Sequence, residues 1–152
     1  MSFLDSYQYE AQVEWTGRRA GQVTVEGLPE ITISAPPEFA GDPGVWTPEH
    51  LLVAATASCL MTTFLAIAEL SRLPVASFEC RATARLEKIP GEGYRFTEIT
   101  LAPEIGIAAE DAEKARKVLS KAEQSCFISR SLRATVQVEP RFVVAAQVAQ
   151  FP

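Results

Sequence analysis

Tyr7, Tyr9, Ala11, Val13 and Trp15 alternate with polar or charged residues, the period-two signature of a strand with one face on a core. The segment from Thr16 to Gly21 turns the chain, and Val23 and Val25 resume the alternation. Gly27-Leu28-Pro29 turns it again before Ile31 and Ile33, giving a three-strand meander. Pro36-Pro37 closes this region, and a loop through Gly41-Asp42-Pro43-Gly44 leads to Thr47-Pro48-Glu49. Threonine as N-cap, proline at the first helical position and an acid in the first turn predict a helix start. The helix extends to about Ser71, with Pro74 beyond it. Phe78, Cys80, Ala82, Ala84 and Leu86 then alternate with charged or polar neighbours, Pro90-Gly91-Glu92-Gly93 forms a turn, and Tyr94 to Leu101 returns as a second strand. Ala112, Ala115, Leu119 and Ala122 recur at helical spacing within 110–124, and four residues further on lies Cys126. Ala134, Val136 and Val138 read as a last strand, and the tail 140–152 carries no assignable pattern.

The order βββ-α-ββ-α-β predicts an α+β fold in which an antiparallel sheet packs on two main helices, one of them long, central and buried. A length of 152 residues suits one domain over 1–152 that buries its core without disulfide support. The 18 residues from Leu51 to Ala68 carry no charge and approach the length of a membrane span. They are rich in Ala, Thr, Ser and Cys and sit among half-buried strand patterns, so a buried helix is expected and no membrane partner. Lys and Arg number 14 against 19 Asp and Glu, a net charge of −5, with no basic cluster. Nucleic acid is therefore not an expected partner, since phosphate binding needs concentrated positive charge. Met1-Ser2-Phe3-Leu4-Asp5-Ser6 lacks the basic and apolar regions of a secretory signal, so a reducing cytoplasm is the expected setting.

In that setting, three cysteines are structural, metal-binding or catalytic rather than a disulfide framework. Metal is not expected: the gaps between Cys59, Cys80 and Cys126 are 21 and 46 residues, and His50 is the single histidine. A Cys-His hydrolase is disfavoured as well, because nine residues of helix separate His50 from Cys59 by about 13 Å. Cys80 lies on the apolar face of a strand and reads as core. Cys59, in the charge-free helix, has the same bland reading of a buried thiol. Cys126 differs in closing a helical pattern beside the short segment Phe127-Ile128-Ser129-Arg130-Ser131-Leu132.

Trp46-Thr47-Pro48-Glu49-His50-Leu51-Leu52-Val53-Ala54-Ala55-Thr56-Ala57-Ser58-Cys59 resembles the PE-x-L-L-x-A-A-x-x-x-C helix of the OsmC/Ohr family, the osmotically induced protein C and organic hydroperoxide resistance proteins. Cys126-Phe127-Ile128-Ser129-Arg130-Ser131-Leu132 resembles the family's second motif, C-P-[VI]-S-x-[AS]-[LI]. The element order matches too, so the resemblance spans nearly the whole chain. It implies an OsmC/Ohr-like fold, of the OsmC-like branch, in an intertwined homodimer. It further implies a thiol-dependent peroxidase that reduces organic hydroperoxides without a cofactor and is recycled by an external dithiol, such as a lipoyl group. Cys59 maps to the peroxidatic cysteine, Cys126 to the resolving cysteine and Glu49 to the active-site glutamate. The family's arginine lies in an early turn, where R-x-G matches Arg19-Ala20-Gly21; Arg18 is the competing assignment. One departure is Phe127, which stands where the family usually has proline and bears on the resolving loop.

These roles are chemically coherent. A free thiol ionises near pH 8.5 and burial raises that value, so a buried Cys59 needs a group that favours its thiolate. A guanidinium against the sulfur supplies one, and Glu49 can orient that guanidinium by a forked contact. Peroxide attack leaves a sulfenic acid on Cys59, which condenses with Cys126 into a disulfide. A reading from another class is a non-enzymatic dimer whose apolar cavity binds a small hydrophobic ligand or senses oxidants.

Overall fold

The computed structural model describes residues 5–146, and the end of the tail, 147–152, lies outside them. The chain divides into two compact units between Leu52 and Val53. In the first, β1 (Gln12–Gly17), β2 (Ala20–Thr24) and β3 (Ile31–Ser34) form the expected antiparallel meander in the order β1-β2-β3. Tyr7 and Tyr9 precede β1 instead of extending it. Nor does the alternating face of β1 meet a core: Val13 and Trp15 are 64% and 75% exposed. The β1–β2 hairpin closes through Arg18 and Arg19, with Arg18 in the left-handed region at φ 48°.

α1 (Pro48–Leu70) begins where the sequence places it. Thr47 Oγ1 accepts from the His50 backbone N–H at 3.1 Å, satisfying one of the four donors that a helix start leaves without an internal partner. Within the second unit, Leu60, Phe64 and Ala68 recur on one face of α1 and are almost fully buried. They join Ile99, Leu101, Ile105 and Ile107 of the sheet and Ala115, Val118, Leu119 and Ala122 of the second main helix. Each fully buried large aliphatic side chain contributes about 1.5–3 kcal/mol, so this cluster anchors the middle of α1. Cys80 packs half-buried against the same cluster, as expected of a core residue.

The second sheet is built on the long hairpin of β4 (Ser77–Ile89) and β5 (Gly93–Ile107). It is mixed, not wholly antiparallel: β6 (Thr135–Val138) and β7 (Arg141–Val144) both run parallel to β5. β7 gives part of the unassigned tail a place in the sheet. β5 continues six residues past Leu101 although it contains Pro103. β6 pairs with 98–101 and β7 with 104–107, so the residue without a backbone N–H falls in the gap between the two partners. α2 (Ala112–Ser125) is followed by a short α3 (Phe127–Arg130) that the sequence pattern does not announce.

Candidate active site

Cys59 stands near the middle of α1, one residue before the buried Leu60. Thr63, one turn further along, brings Oγ1 to 4.0 Å from Cys59 Sγ. α2 ends at Ser125, and Cys126, with φ −66° and ψ 112°, leaves helical geometry before α3 begins. The first N–H groups of any helix have no acceptor within it. Those of Phe127 and Ile128 are directed at the Cys59 sulfur, and the Cys126 thiol hydrogen-bonds to the same atom. Cys126 itself is fully buried, and Ser129 Oγ donates to its Sγ at 3.3 Å. Two cysteines separated by 66 intervening residues thus share one site within the second unit.

Their environments pull them apart. Burial pushes the Cys59 thiol up, but the Ile128 amide, the Cys126 thiol, the Thr63 hydroxyl and the Phe127 amide together outweigh it, and its pKa lies below the ordinary thiol value. Burial also pushes the Cys126 thiol up; Ser129 opposes the rise, while the hydrogen bond to Cys59 and the charge on Cys59 reinforce it. The two protons belong to a coupled pair, and the first to leave does so chiefly from Cys59. Cys80, by contrast, is pushed up by burial, with a weaker opposing contact to the Ala102 backbone.

The two backbone donors to Cys59 are contacts that residue types do not reveal, because any residue except proline supplies an N–H. The one visible signal is Phe127 itself, a non-proline residue following Cys126. Cys126 already has the extended backbone that a following proline demands, and position 127 opens α3, where proline is tolerated. Phe127→Pro therefore deletes a single donor to Cys59 while retaining the backbone path. The expected outcome is a shift of the Cys59 alkylation profile to higher pH, with Phe127→Leu leaving it in place.

Arg18 and Arg19 form the turn between β1 and β2. Arg18 pairs with Asp42 at 3.3 Å in an exposed contact, worth at most about 1 kcal/mol, whereas Arg19 Nη1 donates to the Phe39 carbonyl. Glu49 sits in the first turn of α1, with Oε2 buried and lacking a hydrogen-bond partner among the described residues. Both Arg19 and Glu49 belong to the first unit. Since α1 is continuous from Pro48 to Leu70, the ten residues from Glu49 to Cys59 rise about 15 Å, farther than a carboxylate side chain extends.

Comparison with known proteins places this arrangement. Residues 41–141, which include both cysteines and Glu49, match the family model described as OsmC-like protein. The uncharacterized protein YmaD of Bacillus subtilis is 29% identical over 142 residues, covering 90% of this chain and 93% of its own. An organic hydroperoxide resistance protein-like 1 of Staphylococcus saprophyticus is 27% identical, with 86% and 92% covered. Among solved structures, an OsmC-like protein of unknown function from Vibrio cholerae superposes with a TM-score of 0.80 at 27% identity, over 89% of this chain and 99% of that one. The matched segment contains both cysteine-bearing motifs, and the α+β architecture agrees throughout: this chain belongs to the OsmC-like protein family.

Proposed function

We propose that this chain, acting as one OsmC/Ohr-like domain, is a cysteine-based peroxidase that reduces organic hydroperoxides to alcohols. The observation that carries the reading is the opposite bias of two facing thiols, Cys59 lowered and Cys126 raised. The Cys59 thiolate attacks the distal peroxide oxygen, the O–O bond breaks, and the alkoxide leaves as alcohol after taking a proton. Cys59 retains the oxygen as a sulfenic acid. The Cys126 sulfur then attacks the Cys59 sulfur, the S–O bond breaks, and water departs with the Cys126 proton. An external dithiol, of which a lipoyl group is the candidate, reduces the disulfide and completes the cycle. A preference for organic over hydrogen peroxide is supported by the likeness to the Staphylococcus organic hydroperoxide resistance protein-like 1 and by the Phe127 ring, 76% exposed, on the residue whose amide faces Cys59.

The proposed working form is a cytoplasmic homodimer. α1 is apolar over most of its circumference, yet only 22% of its most apolar stretch is buried, a composition suited to an environment that covers all its sides. Ala54, Ser58, Thr62 and Ala66 recur every four residues along an exposed stripe. Ser58 Oγ and Thr62 Oγ1 donate back to the Ala54 and Ser58 carbonyls, so the stripe offers small surfaces with satisfied hydroxyls on which a second helix can lie closely. The uncovered Val13 and Trp15 face of β1 is further apolar surface for the partner. In this reading Arg19 supplies a guanidinium to the Cys59 thiolate, adding to the four hydrogen-bond donors, and Glu49 orients it. The span of α1 from Glu49 to Cys59, about 15 Å, supports drawing that Glu49 from the opposite subunit.

The test is a steady-state assay of hydrogen peroxide against bulky organic hydroperoxides, with lipoyl and simple monothiol donors. The proposal predicts faster turnover of the organic substrates, sustained by the dithiol. Absence of turnover with every dithiol would instead favour a binding or sensing protein.

A further inference from the structure

We propose that Ser129 is the positioning residue of the resolving half-reaction: its hydroxyl holds the Cys126 sulfur for attack and stabilises the thiolate that attacks the Cys59 sulfenic acid. The inference rests on the peroxidase reading of Cys59 and concerns a step that the tuning of Cys59 does not provide for. Cys126 is fully buried, so negative charge developing on its sulfur must be met by fixed donors, not by bulk water. Ser129 Oγ is placed to do so, 3.3 Å from that sulfur. The neighbouring Ser131 is committed elsewhere, donating from Oγ to the Phe127 carbonyl at 2.7 Å. α3 fixes the spacing: the Arg130 N–H bonds to the Cys126 carbonyl at 3.1 Å, holding Ser129 on the turn that folds back over Cys126.

The two thiols need their donors at different times. In the resting pair, the Cys126 thiol donates to Cys59 and keeps its own proton. Once Cys59 is a sulfenic acid, that acceptor is neutral, and Cys126 becomes the group that must ionise. A hydroxyl hydrogen bond to a thiol is weak, but it becomes charge-assisted and roughly doubles in strength as the proton leaves. Ser129 therefore stabilises the attacking form more than the resting form, the condition for accelerating a step. Among the described residues, Cys59 is the titratable group whose charge bears on Cys126; Glu123 of α2 and Arg130 of α3, the nearest charged residues along the chain, are exposed. The pH dependence of resolution should accordingly follow ionisation of Cys126, shifted by the Ser129 hydroxyl.

Two measurements test the proposal. In single-turnover stopped-flow reactions with an organic hydroperoxide, Ser129→Ala should form the sulfenic acid at a rate within about twofold of the parent but close the disulfide about tenfold more slowly, the loss expected for one hydrogen bond to a charged group. The pH profile of closure should move upward, and Ser129→Thr, which retains the hydroxyl, should restore both rate and profile. In a Cys59→Ser background, where no peroxide chemistry is required, Ser129→Ala should shift Cys126 alkylation to higher pH. Absence of peroxide reduction by the parent protein would remove the peroxidase reading, and the Cys126 alkylation profile would still decide Ser129's effect on the thiolate. An unchanged Cys126 profile, or an equal slowing of both half-reactions without rescue by threonine, would overturn the proposal.

Discussion

Cys59→Ser is expected to lower hydroperoxide turnover to below about a thousandth of the parent rate, because a hydroxyl cannot supply the readily ionised nucleophile. Cys126→Ser should behave differently: it should consume about one equivalent of hydroperoxide per site and then stall or overoxidise, since the sulfenic acid has lost its internal partner. The contrast follows from the distinct positions of the two thiols. Cys59 receives donors from Ile128, Cys126, Thr63 and Phe127, whereas Cys126 is buried and raised. A single-turnover experiment with quantified sulfenic acid separates the two variants. Identical behaviour would remove the division into peroxidatic and resolving roles.

Glu49 and Cys59 of one chain are about 15 Å apart along α1, and Glu49 Oε2 is buried without a hydrogen-bond partner among the described residues. The proposed homodimer, with its site shared across a two-fold axis, would account for both. Glu49→Ala and Cys59→Ser homodimers should each be strongly impaired. Heterodimers that combine one subunit of each should recover near half the parental activity, since one site then lacks both groups and the other is intact. Verified heterodimers without recovery would show that Glu49 does not act in trans.

Much of this architecture was legible in the sequence, and the residues show why. The start of α1 was readable because Thr47 and Pro48 carry local signals that need no tertiary partner, and the His50 N–H bond to Thr47 realises them. The β4–β5 hairpin was readable because Gly91 and Gly93, with φ 81° and 87°, adopt a conformation that favours glycine. The far half of β5 was hidden by Pro103, whose tolerance depends on two partners arriving from distant sequence. Parallel pairing of β6 and β7 was likewise invisible, since alternation reports which face is buried and not which direction a neighbour runs. The exposed face of β1 shows the same limit: apolar alternation predicts a surface to be covered but not what covers it.

At the site, the cysteines were found by motif and the structure adds their mutual contact. The Phe127 and Ile128 amides were not legible, because a backbone donor leaves no residue-type trace and α3 is a single short turn. Arg19 was separated from Arg18 by motif spacing. The structure gives the two residues different partners, Asp42 for Arg18 and the Phe39 carbonyl for Arg19.

One organic hydroperoxide molecule should convert the Cys59 and Cys126 thiols into a disulfide. Peptide mapping of the protein after reaction with one equivalent of hydroperoxide, with free thiols blocked before digestion, reports this conversion. The expected result is a Cys59–Cys126 crosslink with the loss of two hydrogens, and Cys80 recovered as a blocked thiol. Recovery of Cys59 as an unreacted thiol, or a crosslink from Cys59 to Cys80, would contradict it.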